Sequence, residues 1–223
     1  WRKFALAESR PANYLFSNGL TYGYALSNEG GVEGESPRLH RFDDDAETWA
    51  LGQLLGGGGV HDVEHFVVGQ EHFLALARSL TSAGPEGVSE VMRWDGQAFV
   101  ADHTLPIGWC TSIAYFAHNS SHYLVASDHG RDAPYTSSEV SVLKYQGATD
   151  GWAEVQRISQ SPTSSIHVVQ PYSAAGNLFL FVALSPLSTD CHGAFSCMQS
   201  AVFECDAGNR TQEISLHSSG YLV

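Results

Sequence analysis

Apolar and polar residues alternate in "SEVMRW" (89–94) and "AFVADH" (98–103), the two-residue period of strands with unlike faces. "FLALA" (73–77) and "LFLFVAL" (178–184) are instead almost continuously apolar, as expected of strands covered on both sides. Around the first of these runs the pattern predicts four strands: Val63–Val68, His72–Ala77, Ser89–Trp94 and Ala98–His103. The last two are joined through "WDGQAF", where Asp95-Gly96 supplies the positive φ angles of a tight hairpin.

The pattern then repeats. Phe16, Phe66 and Phe116 stand 50 residues apart, and Phe73-Leu74 returns as Tyr123-Leu124 with the same step. Arg93-Trp94 returns as Lys144-Tyr145 and, upstream, as "LHRFD" with Phe42. Trp49, Phe99 and Trp152 form a third aromatic series. A worn fourth copy contains "LFLFVAL" and "SAVFECD". The copies run over residues 11–60, 61–107, 108–161 and 162–220. Four short antiparallel strands per unit of about 50 residues describe propeller blades, since one sheet buries its faces only by stacking on its neighbours. The expected fold is all-β, a β-propeller of four-stranded blades, with the recurring aromatics filling the space between them.

Composition narrows the role. Charged residues are only 16% and Gly numbers 22, which disfavours long surface helices. Eleven Lys and Arg against 24 Asp and Glu leave a formal charge of -13, which excludes nucleic-acid binding by phosphate contact and repels anionic membrane surfaces. No apolar run approaches the roughly 20 residues needed to cross a bilayer. The opening "WRKFALAESR" is too short for a signal peptide, so a piece of a longer protein is expected. Cys110, Cys191, Cys197 and Cys205 do not have zinc-site spacing, and Asn119 and Asn209 lie in glycan acceptor sequons. Sequons with an even cysteine count point to an extracellular setting.

"DVEHFVVGQEHFLALA" followed by "EVMRWDGQAFV" resembles the epilepsy-associated repeat, also called the EAR, EPTP or epitempin repeat. The second copy matches nearly throughout, with Arg78 where Asn is usual. The third keeps "SEVSVLKY" but has Ser112 and Ala114 in place of Asp62 and Glu64. The resemblance implies a seven-bladed propeller, as in the leucine-rich glioma-inactivated proteins, the very large adhesion receptor and the thrombospondin-N/EAR protein. It also implies non-catalytic recognition of an extracellular protein receptor or ligand, in adhesion or signalling.

Among candidate sites, Asp62 and Glu64 share one strand face and could hold calcium; otherwise they belong to the repeat's own hydrogen-bonding framework. No other cofactor is expected. His61, His65 and His72 lack zinc-protease spacing. "DDDAE" (43–47) reads as a solvated turn, and "GGGG" (56–59) as the link between two blades. Cys191 and Cys197 could bridge within one loop; Cys205 falls where Trp94 stands in the second copy, and a Cys110–Cys205 bridge is an open alternative. No nucleophile elbow or phosphate loop is present. The rival functions are a propeller hydrolase or lyase using channel-facing acids and histidines, and a glycan-binding propeller.

Overall fold

The computed structural model describes residues 15–17, 21–25, 38–43, 48–56, 59–78, 88–107, 109–128, 139–159, 164–174, 177–186, 200–206 and 215–222. No helix occurs among them. The first blade comprises β1 (Leu15–Ser17), β2 (Thr21–Ala25), β3 (Arg38–Asp43) and β4 (Thr48–Leu54). The second comprises β5 (Val60–Val68), β6 (Glu71–Arg78), β7 (Glu90–Trp94) and β8 (Phe99–Thr104). The third comprises β9 (Ile113–His118), β10 (Ser121–Asp128), β11 (Glu139–Gly147) and β12 (Gly151–Ser159). The fourth comprises β13 (Ser164–Ala174), β14 (Asn177–Pro186), β15 (Ser200–Asp206) and β16 (Ser215–Leu222). Each blade is a separate antiparallel sheet whose strands lie in chain order. This is the β-propeller architecture. Relative to the copy boundaries at 61 and 220, β5 starts one residue early at Val60 and β16 continues to Leu222.

The register repeats down to its irregularities. The outer pair of each blade carries a β-bulge, between Leu39 and His40, Val91 and Met92, Val142 and Leu143, and Val202 and Phe203. Three residues beyond the first of each pair comes the same cross-strand pair: Phe42 with Trp49, Trp94 with Phe99, Tyr145 with Trp152, and Cys205 with Leu216. Cys205 thus occupies the aromatic position, as its sequence register implied. The β7–β8 turn is longer than a two-residue hairpin. Asp95 N–H donates to Ala98 O, and Asp95 Oδ1 accepts the N–H groups of Gln97 and Ala98. The Asp side chain closes this loop.

Strand periodicity divides the core into three layers, one per blade junction. Leu74 and Leu76 of β6 face the first blade, burying Leu39 and Leu55 together with Val63 and Phe99. Phe73, Ala75 and Ala77, on the opposite face of β6, meet Ile113, Leu124, Leu143 and Trp152 of the third blade. Tyr123 and Val125 of β10 then meet Ile166, Val169, Leu180 and Val182 of the fourth. One strand feeds two cores because successive side chains point opposite ways, which explains the unbroken apolar run in "FLALA".

Candidate functional site

The seam between the inner strands of the second and third blades holds the carboxylates singled out in the sequence. Asp62, Glu64 and Phe66 share one face of β5, turned toward β9. Asp62 Oδ2 accepts the Ile113 N–H at 3.1 Å and the Ser112 hydroxyl at 3.3 Å, while its Oδ1 accepts Val63 N–H at 3.0 Å. Glu64 Oε1 accepts Tyr115 N–H at 3.2 Å. The next ring is Phe66, stacked on Tyr115 with centroids 4.7 Å apart and edge-on to Trp152 at 5.6 Å. Two carboxylates and an aromatic therefore stitch β5 to β9 where no backbone ladder joins the blades.

The following junction uses the same bond with a different residue. Ser112 lies 50 positions after Asp62, and its Oγ accepts Val169 N–H of β13 at 3.3 Å. Thr111 Oγ1 donates to Ile166 O at 2.9 Å. Ser127 holds this corner, since its Oγ accepts the N–H groups of Thr111 and Ser112. Sequence reasoning read Ser112 as a lost acid. The fifty-residue step was the available signal, because equivalent residues of consecutive blades face each other across a junction.

Burial raises the Asp62 pKa, against the hydrogen bonds from Ile113, Val63 and Ser112. Burial pushes Glu64 up to about 7, with the Asp62 charge adding to the rise and the Tyr115 N–H opposing it. His65 stacks on His72 with Nε2 and Nδ1 3.0 Å apart, and burial followed by His72 lowers its pKa to about 4. Burial also lowers His61. Fifty residues on from this histidine pair, Tyr115 Oη lies 2.6 Å from His122 Nδ1 and stacks on its ring. No group of three or more His, Cys, Asp or Glu suited to a metal ion occurs among the described residues.

Residues 55–95 match the family model described as the EPTP domain. The chain carries an EPTP repeat. The match spans β5, β6 and β7 and includes Asp62, Glu64, Phe66 and Arg78. No curated protein sequence matches the chain. Among solved structures, the chain is similar to a Bombyx mori GH32 β-fructofuranosidase (TM-score 0.58, 7% identity), with 93% of this chain and 47% of that one covered. It is similar to an endo-arabinase from Bacteroides thetaiotaomicron (TM-score 0.58, 9% identity), over 93% of this chain and 80% of that one. A periplasmic gluconolactonase from Pseudomonas aeruginosa gives 0.51 and 14%, over 91% and 67%. The chain thus spans about half the length of the fructofuranosidase, and at these identities the likeness is one of fold.

In the EPTP segment, Arg78 is buried and ties the second blade to the link before it. Its Nη2 donates to Gly56 O at 2.7 Å and Leu55 O at 3.3 Å, and pairs with Glu90 Oε1 at 2.6 Å. Leu55 and Gly56 are thereby held to the second blade, and Gly56 and Gly59 take φ values of 64° and 71°. In the third blade the corresponding residue is Asp128, and Arg157 of β12 supplies the positive charge, contacting Asp128, Glu139 and Glu154.

The outer strands also touch across junctions. The Gln53 amide on β4 donates to Phe99 O at 2.6 Å and accepts Phe99 N–H at 2.8 Å. His103 of β8, held by Asp102 at 2.7 Å, lies against Gly151 at the start of β12. Neither contact leaves a pattern in the sequence, since the partners are the main chain of Phe99 and a glycine.

The remaining expected sites separate as follows. Phe66, Phe99, Phe116 and Trp152 are buried aromatics of the junctions, with Trp94 and Tyr145 half-buried beside them. Phe16, Phe42 and Trp49 are placed by backbone register alone. Cys110 is a free, fully buried thiol, so the Cys110–Cys205 alternative is not realised; burial holds its pKa up at about 12. Asn119 is exposed at the β9–β10 turn. Cys191, Cys197, Asn209 and residues 44–47 of the acidic turn lie outside the described residues.

Proposed function

We propose that the chain is an extracellular protein-binding propeller module, without catalysis, that serves adhesion or receptor–ligand signalling. The EPTP match over residues 55–95 carries this reading, because repeats of this kind belong to extracellular recognition proteins. The surface supports it. Leu51 and Leu54 on β4 are 57% and 55% exposed. Their register equivalents are Ala101 and Thr104 on β8, and Glu154 and Arg157 on β12. Two leucines thus stand where the next blades carry small or charged residues, which is how a contact patch differs from an ordinary outer strand. Among the described residues no helix is long and apolar enough to cross a membrane.

The test is a multivalent, secreted form of the chain applied to intact cells, with cross-linking and identification of the captured surface protein. Saturable capture that Leu51→Asp with Leu54→Asp abolishes, in a protein that still folds, supports the reading. Lack of saturable binding across a broad cell panel overturns it. The rival is a glycan-active propeller, suggested by the fructofuranosidase and arabinase likeness. The acids it would use, Asp62 and Glu64, each accept amide protons from β9. Turnover of sucrose or arabinan by the purified chain would favour that rival.

A further inference from the structure

We infer that Asn119 is an N-glycan acceptor and that its glycan stands over the hairpin end of the second and third blades; this rests on the extracellular reading. Asn119 begins the sequon Asn119-Ser120-Ser121 at the tip of the innermost hairpin of the third blade. Asn119 and Ser120, at φ 48° and 60°, form the two-residue turn between β9 and β10, and both are exposed.

A left-handed turn favours Asn for its own sake, so conformation alone accounts for the residue type. It does not account for the hydroxyl two positions on. The equivalent turn of the second blade needs a positive φ at one position only, met by Gly69 at 65° and followed by Gln70 and Glu71, which is no sequon. In the third blade Asn119 opens the turn and Ser121, the first residue of β10, completes the acceptor sequence.

The carboxamide is free to react without cost to the fold. Its Nδ2 lies 2.9 Å from Nε2 of the neighbouring His118, an exposed contact that uses one of its two hydrogens. Glycosylation joins the anomeric carbon of a lipid-pyrophosphate-linked oligosaccharide to Nδ2. The bond from that carbon to the pyrophosphate breaks, and Nδ2 loses one proton, with no change of oxidation state. The added chain projects from a turn whose two strands are already fully paired, Ser121 with His118 and His122 with Ala117.

The glycan also restricts where a partner can dock. The β5–β6 turn lies close by, because Tyr115 Oη is 3.3 Å from Val67 O and 2.6 Å from His122 Nδ1. A bulky oligosaccharide at Asn119 covers this end and leaves the outer strands, with Leu51 and Leu54, for protein contact.

The test secretes the chain from mammalian cells behind a heterologous signal peptide, so acceptor competence is measured whatever its natural compartment. Peptide-N-glycosidase treatment in heavy-oxygen water, followed by peptide mass spectrometry, is expected to mark residue 119. Asn119→Asp keeps a residue suited to the turn, and Ser121→Ala keeps Asn119 itself; each should abolish the mark while secretion persists. An unmarked peptide from the folded wild-type protein overturns the proposal, as does a mark that survives Ser121→Ala. Failure of cell-surface capture with residue 119 marked would instead count against the binding function.

Discussion

Glu64→Gln tests the electrostatics of the inner seam. The Glu64 carboxyl rises from its ordinary 4.5 to about 7 because it is buried, with the Asp62 charge beside it. A raised carboxyl disfavours the ionised folded state, so its contribution to stability is present at low pH and is lost as pH rises through about 7. Above that, with both states ionised, the cost is about 3 kcal/mol. At pH 5 the folded carboxyl is protonated while most unfolded chains are ionised, so the cost shrinks to about 1 kcal/mol. The wild type should therefore gain about 2 kcal/mol from this residue between pH 8 and pH 5. Gln keeps an oxygen to accept the Tyr115 N–H and cannot ionise. Urea unfolding followed by tryptophan fluorescence, on both proteins at both pH values, gives a difference of differences that cancels the effect of the remaining charges. The expected result is a flatter pH dependence for Glu64→Gln and a variant more stable than wild type at pH 8. Equal pH dependence in the two proteins would show that Glu64 ionises as freely folded as unfolded, and the account of the seam would fail.

Gly151 sits at φ 65°, and a Cβ there would lie 2.7 Å from His103 Cγ and closer still to Cδ2. Gly151→Ala should cost about 1–3 kcal/mol by urea titration, combining left-handed strain with overpacking, and His103→Ala in the same chain should recover part of it. Phe66→Ala removes a ring shared by two blades and should cost about 3–5 kcal/mol, read as a lowered denaturation midpoint. Cys110, fully buried with its thiol pushed up to about 12, should resist a maleimide reagent in the native protein and react on unfolding; labelling quantified by mass spectrometry checks this.

The fold was legible because the repeat supplies the same physical demand several times over. The series Phe42, Trp94, Tyr145 and the series Trp49, Phe99, Trp152 proved to be facing members of cross-strand pairs. Their common distance from a bulge confirms the register in residues that the sequence step alone had aligned. The continuous apolar runs correctly signalled strands covered on both faces. The site was less legible for a reason of geometry. Within one copy, Asp62 and Glu64 look like an isolated acidic pair suited to a cation. Apart from the Ser112 hydroxyl on Asp62, their partners on the third blade are backbone N–H groups of Ile113 and Tyr115, which carry no side-chain signature. Gln53 likewise bonds only to the main chain of Phe99. Contacts of side chain to backbone across a junction leave no residue pair for a pattern to reveal.

The two seams show what the repeat must preserve. Between the second and third blades Asp62 accepts the Ile113 N–H; between the third and fourth Ser112 accepts the Val169 N–H. An outward-pointing N–H at a buried junction needs an acceptor, and a carboxylate and a hydroxyl both supply one. They differ in charge. Asp62 places a second anion near Glu64 and so helps raise it, whereas Ser112 is followed at the next same-face position by Ala114, with no acid to perturb. The third junction has the bond without the charge, and it also has the neutral hydroxyls of Thr111 and Ser127 arranged around it. What these two junctions share is therefore the acceptor position. Of these two junctions, only the one at the blade that carries the EPTP match adds acidity, and it responds to pH near neutrality while the next is set by hydroxyls that do not titrate.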